Sequence, residues 1–286
     1  MNVEILAAGI LTGGLYALIG LGISLTFGVL GMMNLAHGEF VIAGAYLASL
    51  LVTGAGWDPL AVLPLAMIAV ALIAYPLQRF LLTPLLRASK TAPLVATFGL
   101  LLLAEALFQA VFGTHPKTLP APYAAAGITI FGIRVQTVYV IAFALTVVLC
   151  GATHLLLTRT RAGSAVRAAS ADPETAAILG INVGRVYAMT LAFAAALAAA
   201  GGVMTGVAQS FTPTSGLPLL LTGFAVMALA GIGTVGGVLL AGVTLGVIQS
   251  VAVSVFGGGW SDVVVYLVFF LALAIRPQGL FRRAAA

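Results

Sequence analysis

Apolar runs of membrane-spanning length follow one another along almost the whole chain. They cover residues 5–29, 35–53, 60–77, 93–112, 138–157, 186–207, 217–232, 235–256 and 262–275, with short polar or Gly/Pro-rich breaks between them. A helix crossing the hydrocarbon core needs roughly 20 apolar residues, because each adds about 1.5 Å to a span of about 30 Å. In a chain of 286 residues, such runs leave little sequence for a folded domain in water. The charge content agrees. Only 7% of the residues are charged and 62% are hydrophobic, with a mean hydropathy of +1.20, whereas about a quarter of a soluble domain is charged. A soluble enzyme and a disordered chain are both excluded. The expected fold class is all-α: a polytopic membrane protein with about eight or nine segments, forming one transmembrane domain over residues 1–286. The runs at 217–232 and 262–275 are short, and 35–53 contains His37, Gly38 and Glu39. Such pieces read as broken or re-entrant segments, which are tolerated only inside protein or beside a cavity.

The few charges are distributed unevenly. The 12 basic residues exceed the seven acidic ones, giving a net charge of +5. In a soluble protein this excess would suggest nucleic acid; in a membrane protein, basic residues gather in cytoplasmic loops. Arg79, Arg87 and Lys90 form one cluster; Arg159, Arg161, Arg167 and Arg185 a second; Arg276, Arg282 and Arg283 a third. Only Lys117 and Arg134 lie elsewhere. With all three clusters in the cytoplasm, the order of runs puts the N-terminus outside and the C-terminus inside. The N-terminal run lacks a basic flank and is too long for a signal-peptide core, so it reads as a retained span. The single cysteine, Cys150, excludes an internal disulfide and a multi-cysteine metal site.

Glycine pairs four residues apart (Gly9/Gly13, Gly202/Gly206, Gly233/Gly237 and Gly242/Gly246) put small residues on one helix face and allow close backbone approach. The run from Gly231 to Gly237 is too glycine-rich for a helix centre and reads as a turn or broken helix.

Ionisable side chains within membrane segments are costly, so they pair, face water or function. Asn34, His37 and Glu39 fall together between two apolar runs. Two readings fit them. One is a polar lining of a translocation path; the other is an interfacial turn, with Asn34 capping the next helix and Glu39 in its first turn. Glu105 and Gln109 lie four apart, on one face of the 93–112 run. They read either as part of a pathway or as a structural hydrogen-bond anchor. The loop 158–185 is the longest polar stretch. Its segment 163–179 has the composition of an amphipathic helix on the cytoplasmic face, suited to a membrane surface or to a groove of a partner protein, with a break or helix start at Pro173.

Several activities find no support. No glycine-rich loop ends in Gly-Lys-Ser/Thr, so the chain has no P-loop for ATP. His37, His115 and His154 are scattered and no metal or catalytic spacing is present.

The segment Gly14-Leu15-Tyr16-Ala17-Leu18-Ile19-Gly20-Leu21-Gly22, then Phe27-Gly28-Val29-Leu30-Gly31-Met32-Met33-Asn34-Leu35-Ala36-His37-Gly38-Glu39, resembles the start of the LivH-type permeases. Those are membrane subunits of bacterial ATP-binding-cassette (ABC) importers for branched-chain amino acids. Gly163-Ser164-Ala165-Val166-Arg167-Ala168, Ala176 to Val186 and Gly233-Thr234-Val235-Gly236-Gly237-Val238 also match the family pattern, so the resemblance spans nearly the whole chain. It implies a permease in the bacterial inner membrane. Its partners would be a second, homologous permease, two ATP-binding subunits and a periplasmic substrate-binding protein, with no nucleic acid. No cofactor is implied in this chain; ATP and Mg would sit on the partner ATPases. ABC permeases carry a coupling helix with a Glu-Ala-Ala-x-x-x-Gly pattern. Glu174-Thr175-Ala176-Ala177-Ile178-Leu179-Gly180 is similar, departing at Thr175. The resemblance therefore implies ATPase coupling at Gly163, Arg167, Asp172, Glu174, Ala177, Gly180 and Asn182, with Gly180 ending the helix. Urea or short-amide permeases of the same family, and a stand-alone proton-coupled transporter using Glu105 or His37, are the alternative readings.

Overall fold

The computed structural model describes residues 3–89, 91–130, 132–231 and 233–275. It is helical almost throughout. Helix α1 runs Val3–Leu30, α2 His37–Ala55 and α3 Pro59–Pro76. A π-helical turn at Leu77–Leu82 joins α3 to α4, Thr83–Ala88. Then come α5, Ala92–Phe112, a hairpin of β1 (Gly127–Ile130) and β2 (Ile133–Gln136), and α6, Thr137–Arg159. Two short helices, α7 (Arg161–Ala171) and α8 (Pro173–Ile178), lead into α9, Val183–Ala208. A single 3₁₀ turn, Pro213–Ser215, precedes α10, Gly216–Ala230; α11 is Val235–Phe256 and α12 Ser261–Ile275.

Eight helical stretches among the described residues are long and apolar enough to cross a membrane. The ninth apolar run folds as α12, a helix through Ile275, where the described residues end. The third span is longer than the apolar run suggests. It continues from Pro59 to Leu86 and carries Arg79 within the helix. The cause is local. Pro76 has no N–H to donate, and the helix takes up the slack as a π turn, in which the Thr83 N–H bonds to the Gln78 carbonyl. Lys90 and the basic cluster at Arg276, Arg282 and Arg283 lie outside the described residues.

Helix α9 is the axis of the bundle, packed by α1, α2 and α3, and its residues from Ala194 to Val207 are buried. Small side chains there let neighbouring backbones close in, which substitutes for a hydrophobic driving force in lipid. The same device joins α1 to α11. A methyl group at Gly13 would stand 2.5 Å from the Gly242 carbonyl oxygen, and one at Gly9 would stand 2.7 Å from the Cα of Val247. Gly233, in contrast, is outside any helix. With Gly231 it adopts positive φ in the turn between α10 and α11, so its spacing to Gly237 does not mark a helix face.

Candidate functional site

The polar residues of the 31–39 segment meet in the middle of the bundle. Chain reversal after α1 uses Gly31 at φ +64°. The Asn34 Oδ1 accepts from the Ala36 N–H (3.1 Å), making a turn one step ahead of α2. Asn34 therefore does not cap α2 directly; Ala36 holds that position without a side-chain bond. His37, the first residue of α2, is 1% exposed and its ring packs against Gly22 of α1, edge-on to Phe40. The Asn34 Nδ2 is buried without a hydrogen-bond partner, and the His37 ring nitrogens make no hydrogen bond of ordinary geometry, with the Ile19 backbone alongside. They border a crevice too tight to admit a water molecule, lined also by Ile23, Thr26, Phe27, Met32 and Phe224. Buried polar groups left unpaired cost roughly 1–3 kcal/mol each, so this concentration is a feature that packing alone does not explain.

Glu39, 3% exposed, lies against Gly216 at the start of α10, with Oε2 unpartnered. A glycine is needed there, because any Cβ on Gly216 would run into Glu39 Oε1. Glu105 and Gln109 form their own pair: the Gln109 Nε2 donates to Glu105 Oε1 at 3.1 Å. Both are half-buried and continue the α5 face that buries Thr97 and Leu101. Thr97 Oγ1 accepts from the Leu35 N–H (3.3 Å), tying that face to the 31–36 connection. The candidate pathway residues therefore fall into two groups, one at the start of α2 and one on α5, linked through Leu35 and Thr97.

The sequence reading missed the cover of this region. Tyr46 of α2 stacks on Phe112 (4.2 Å between centroids) and meets Phe211 edge-on. The Lys117 ammonium sits 5.0 Å from the Phe112 ring, a cation–π arrangement. Lys117 and Phe211 exchange two backbone hydrogen bonds of 2.9 Å, stitching the loop after α5 to the loop after α9. Spacing could not show this, since the partners are far apart in sequence.

The second set of candidate residues lies at the α7–α8 end. Gly163 makes the tight α6–α7 corner, where a Cβ would strike the carbonyls of Leu156 and Leu157. Arg167 is exposed and bonds Ser164 (3.2 Å). Asp172 caps α8, accepting from the N–H groups of Glu174 (3.0 Å) and Thr175 (3.1 Å) and from the Thr175 hydroxyl. The Thr175 hydroxyl first, and then the backbone donors, hold the Asp172 carboxyl below its ordinary range. Pro173 thus starts a new helix, the break expected within the amphipathic 163–179 segment. Gly180 at φ +84° ends α8. Asn182 caps α9 through the Arg185 N–H (3.0 Å) and also accepts from Arg79 Nη1 (3.2 Å). Of this set, Gly163, Asp172, Gly180 and Asn182 shape the backbone, while Glu174 and Ala177 are exposed. Beside them stand Ile178 and Leu179, 85% and 74% exposed, an apolar tip that the motif comparison did not single out.

Comparison with known proteins extends over the whole arrangement. A family model described as "Branched-chain amino acid transport system / permease component" matches residues 5–273. The high-affinity branched-chain amino acid permease BraD of Pseudomonas aeruginosa is 30% identical, over 97% of this chain and 95% of its own length. LivH of Escherichia coli K12 is 27% identical over 96% and 94%. A probable LivH permease of Methanocaldococcus jannaschii is likewise 27% identical. Among solved structures, PsaBC from Streptococcus pneumoniae in complex with Fab has a similar fold. Its TM-score is 0.54 at 13% identity, covering 96% of this chain and 92% of that one.

Proposed function

Because the chain belongs to the branched-chain amino acid transport permease family, we propose that it is a membrane subunit of an ATP-driven importer, moving branched-chain amino acids or similarly small polar solutes. The α7–α8 end faces the cytoplasm, the N-terminus faces outside, and the protein sits in the inner membrane. Its partners are a second permease, two ATP-binding subunits carrying ATP and Mg, and a substrate-binding protein.

The observation that carries this reading is the exposed Ile178–Leu179 tip. Two large apolar side chains exposed side by side at the end of α8, on the side away from the bundle, offer a partner protein an apolar contact. The helix that bears them is fixed at both ends, by the Asp172 cap and by Gly180. A rigid, apolar knob beside Glu174 suits a groove of an ATPase, and Arg79–Asn182 connects its base to the bundle. The pathway is assigned to Asn34, His37, Glu39, Glu105 and Gln109.

The test is uptake of labelled leucine and labelled urea by cells expressing the chain with its partner subunits. Leucine uptake that requires ATPase activity supports the reading. Uptake that persists without ATPase subunits and collapses with the proton gradient would replace it by a stand-alone transporter, and preference for urea would move the substrate class. Replacing Glu174 or Gly180 should lower both uptake and recovery of the ATPase with the permease, with membrane insertion intact.

A further inference from the structure

A cleft opens on α1, away from His37. It measures about 380 Å³ and lies between the first half of α1, the start of α6 and the last turns of α11. Its size falls within the range of small-molecule sites. Thr12, Tyr16, Tyr139, Gln209, Gln249 and Ser250 supply hydroxyl and amide groups. Ile5, Leu15 and Val253 supply apolar wall. The Tyr16 hydroxyl donates to the Gln249 carbonyl oxygen, which joins α1 to α11 across the cleft and orients the amide N–H groups of Gln249 as donors. The wall behind is rigid, since α1 and α11 touch backbone to backbone at Gly9, Gly13, Gly242 and Gly246.

Such a density of uncharged polar side chains is unusual in a chain this apolar. None of the described lining residues carries a charge. A solute with net charge would lose its hydration there without a counter-ion, whereas neutral hydrogen-bonding groups can satisfy a small dipolar solute. The lining positions 5, 8, 12, 15 and 16 follow helical spacing along one face of α1. That face continues through Ile19, which is fully buried, to Ile23 and Thr26, which line the crevice beside Asn34 and His37. One strip of α1 thus runs from the cleft to the His37 region, with Ile19 between them.

We propose that this cleft binds a small solute of zero net charge bearing an aliphatic group, such as a zwitterionic aliphatic amino acid. The proposal rests on the transport reading above. It is tested on the complete transporter complex in lipid nanodiscs, with Cys150→Ala as parent, because Cys150 is the single native cysteine. Ser250→Cys and, separately, Ser254→Cys serve as reporters for a small thiol reagent. Labelling of at least one reporter should be lost in saturating leucine and persist in saturating lysine or aspartate. Adding Gln249→Leu should raise the leucine concentration needed for protection. Labelling of both reporters that ignores leucine, that follows lipid composition alone, or that is lost equally with all three solutes overturns the proposal. Leucine uptake by the Cys150→Ala parent is measured in parallel. Uptake without protection removes the cleft and keeps the transport reading; protection without uptake does the reverse.

Discussion

The carboxyl group of Glu39 occupies the space that a side chain on Gly216 would need, so the first turn of α2 packs directly onto the first turn of α10. Gly38 reinforces the contact, because a Cβ there would overlap the Gly216 carbonyl. Two helix starts thus close on one buried acid, one of whose oxygens has no hydrogen-bond donor.

Gly216→Ala should therefore destabilise the protein by about 1–3 kcal/mol, the usual range for overpacking. Thermal unfolding of the purified complex would show it as a lowered midpoint. Glu39→Ser removes the obstructing atoms, so the double variant should lose less than the sum of the two single ones. Strict additivity would mean that the contact is not energetically coupled.

His37→Leu separates packing from chemistry. The ring is buried with no hydrogen bond of ordinary geometry, so an apolar replacement of similar bulk should leave expression and thermal stability unchanged or improved. Leucine uptake should nevertheless be lost, if the polar ring serves the path. Wild-type uptake in a stable His37→Leu protein would return the residue to a packing role.

Ile178→Ser with Leu179→Ser should abolish co-purification of the ATPase while the permease still inserts and unfolds at the wild-type temperature. Both side chains project from the bundle and contribute little to its interior. Unchanged recovery of the complex would exclude this tip as the docking element.

Asp172→Ala should weaken the same interaction by loosening the first turn of α8. The cap has a defined pH window. Its carboxyl titrates below the ordinary aspartate range, so its stabilisation is complete above about pH 4 and is lost as the pH falls through the depressed folded value. Uptake that varies between about pH 5 and 8 must then come from other groups, and Asp172→Asn should leave the shape of that profile unaltered.

The parts legible in the sequence were those governed by neighbouring residues. Helices α1, α5, α6, α9 and α11 coincide closely with apolar runs, because lipid demands an uninterrupted apolar surface. The Gly231–Gly233 turn and the Gly180 stop were legible for the same local reason, since positive φ favours glycine. The extension beyond Leu77 was not, because a π turn rescues a helix that Pro76 would be expected to end. The hairpin had a usable signal, alternating β-branched residues around Gly132, but the longer apolar runs nearby obscured it. At the candidate site, sequence spacing grouped Asn34 with His37 and Glu105 with Gln109. It could not bring Gly216 to Glu39 or Tyr16 to Gln249, since those meetings depend on how distant helices cross.

The π turn at Leu77–Leu82 holds one surplus residue in an otherwise regular helix. Arg79 sits inside it and donates to Asn182, which caps α9 beside the exposed apolar knob. The irregular turn and the knob are thus two sides of one joint, and a load on α8 meets the third span where its helical repeat departs from α.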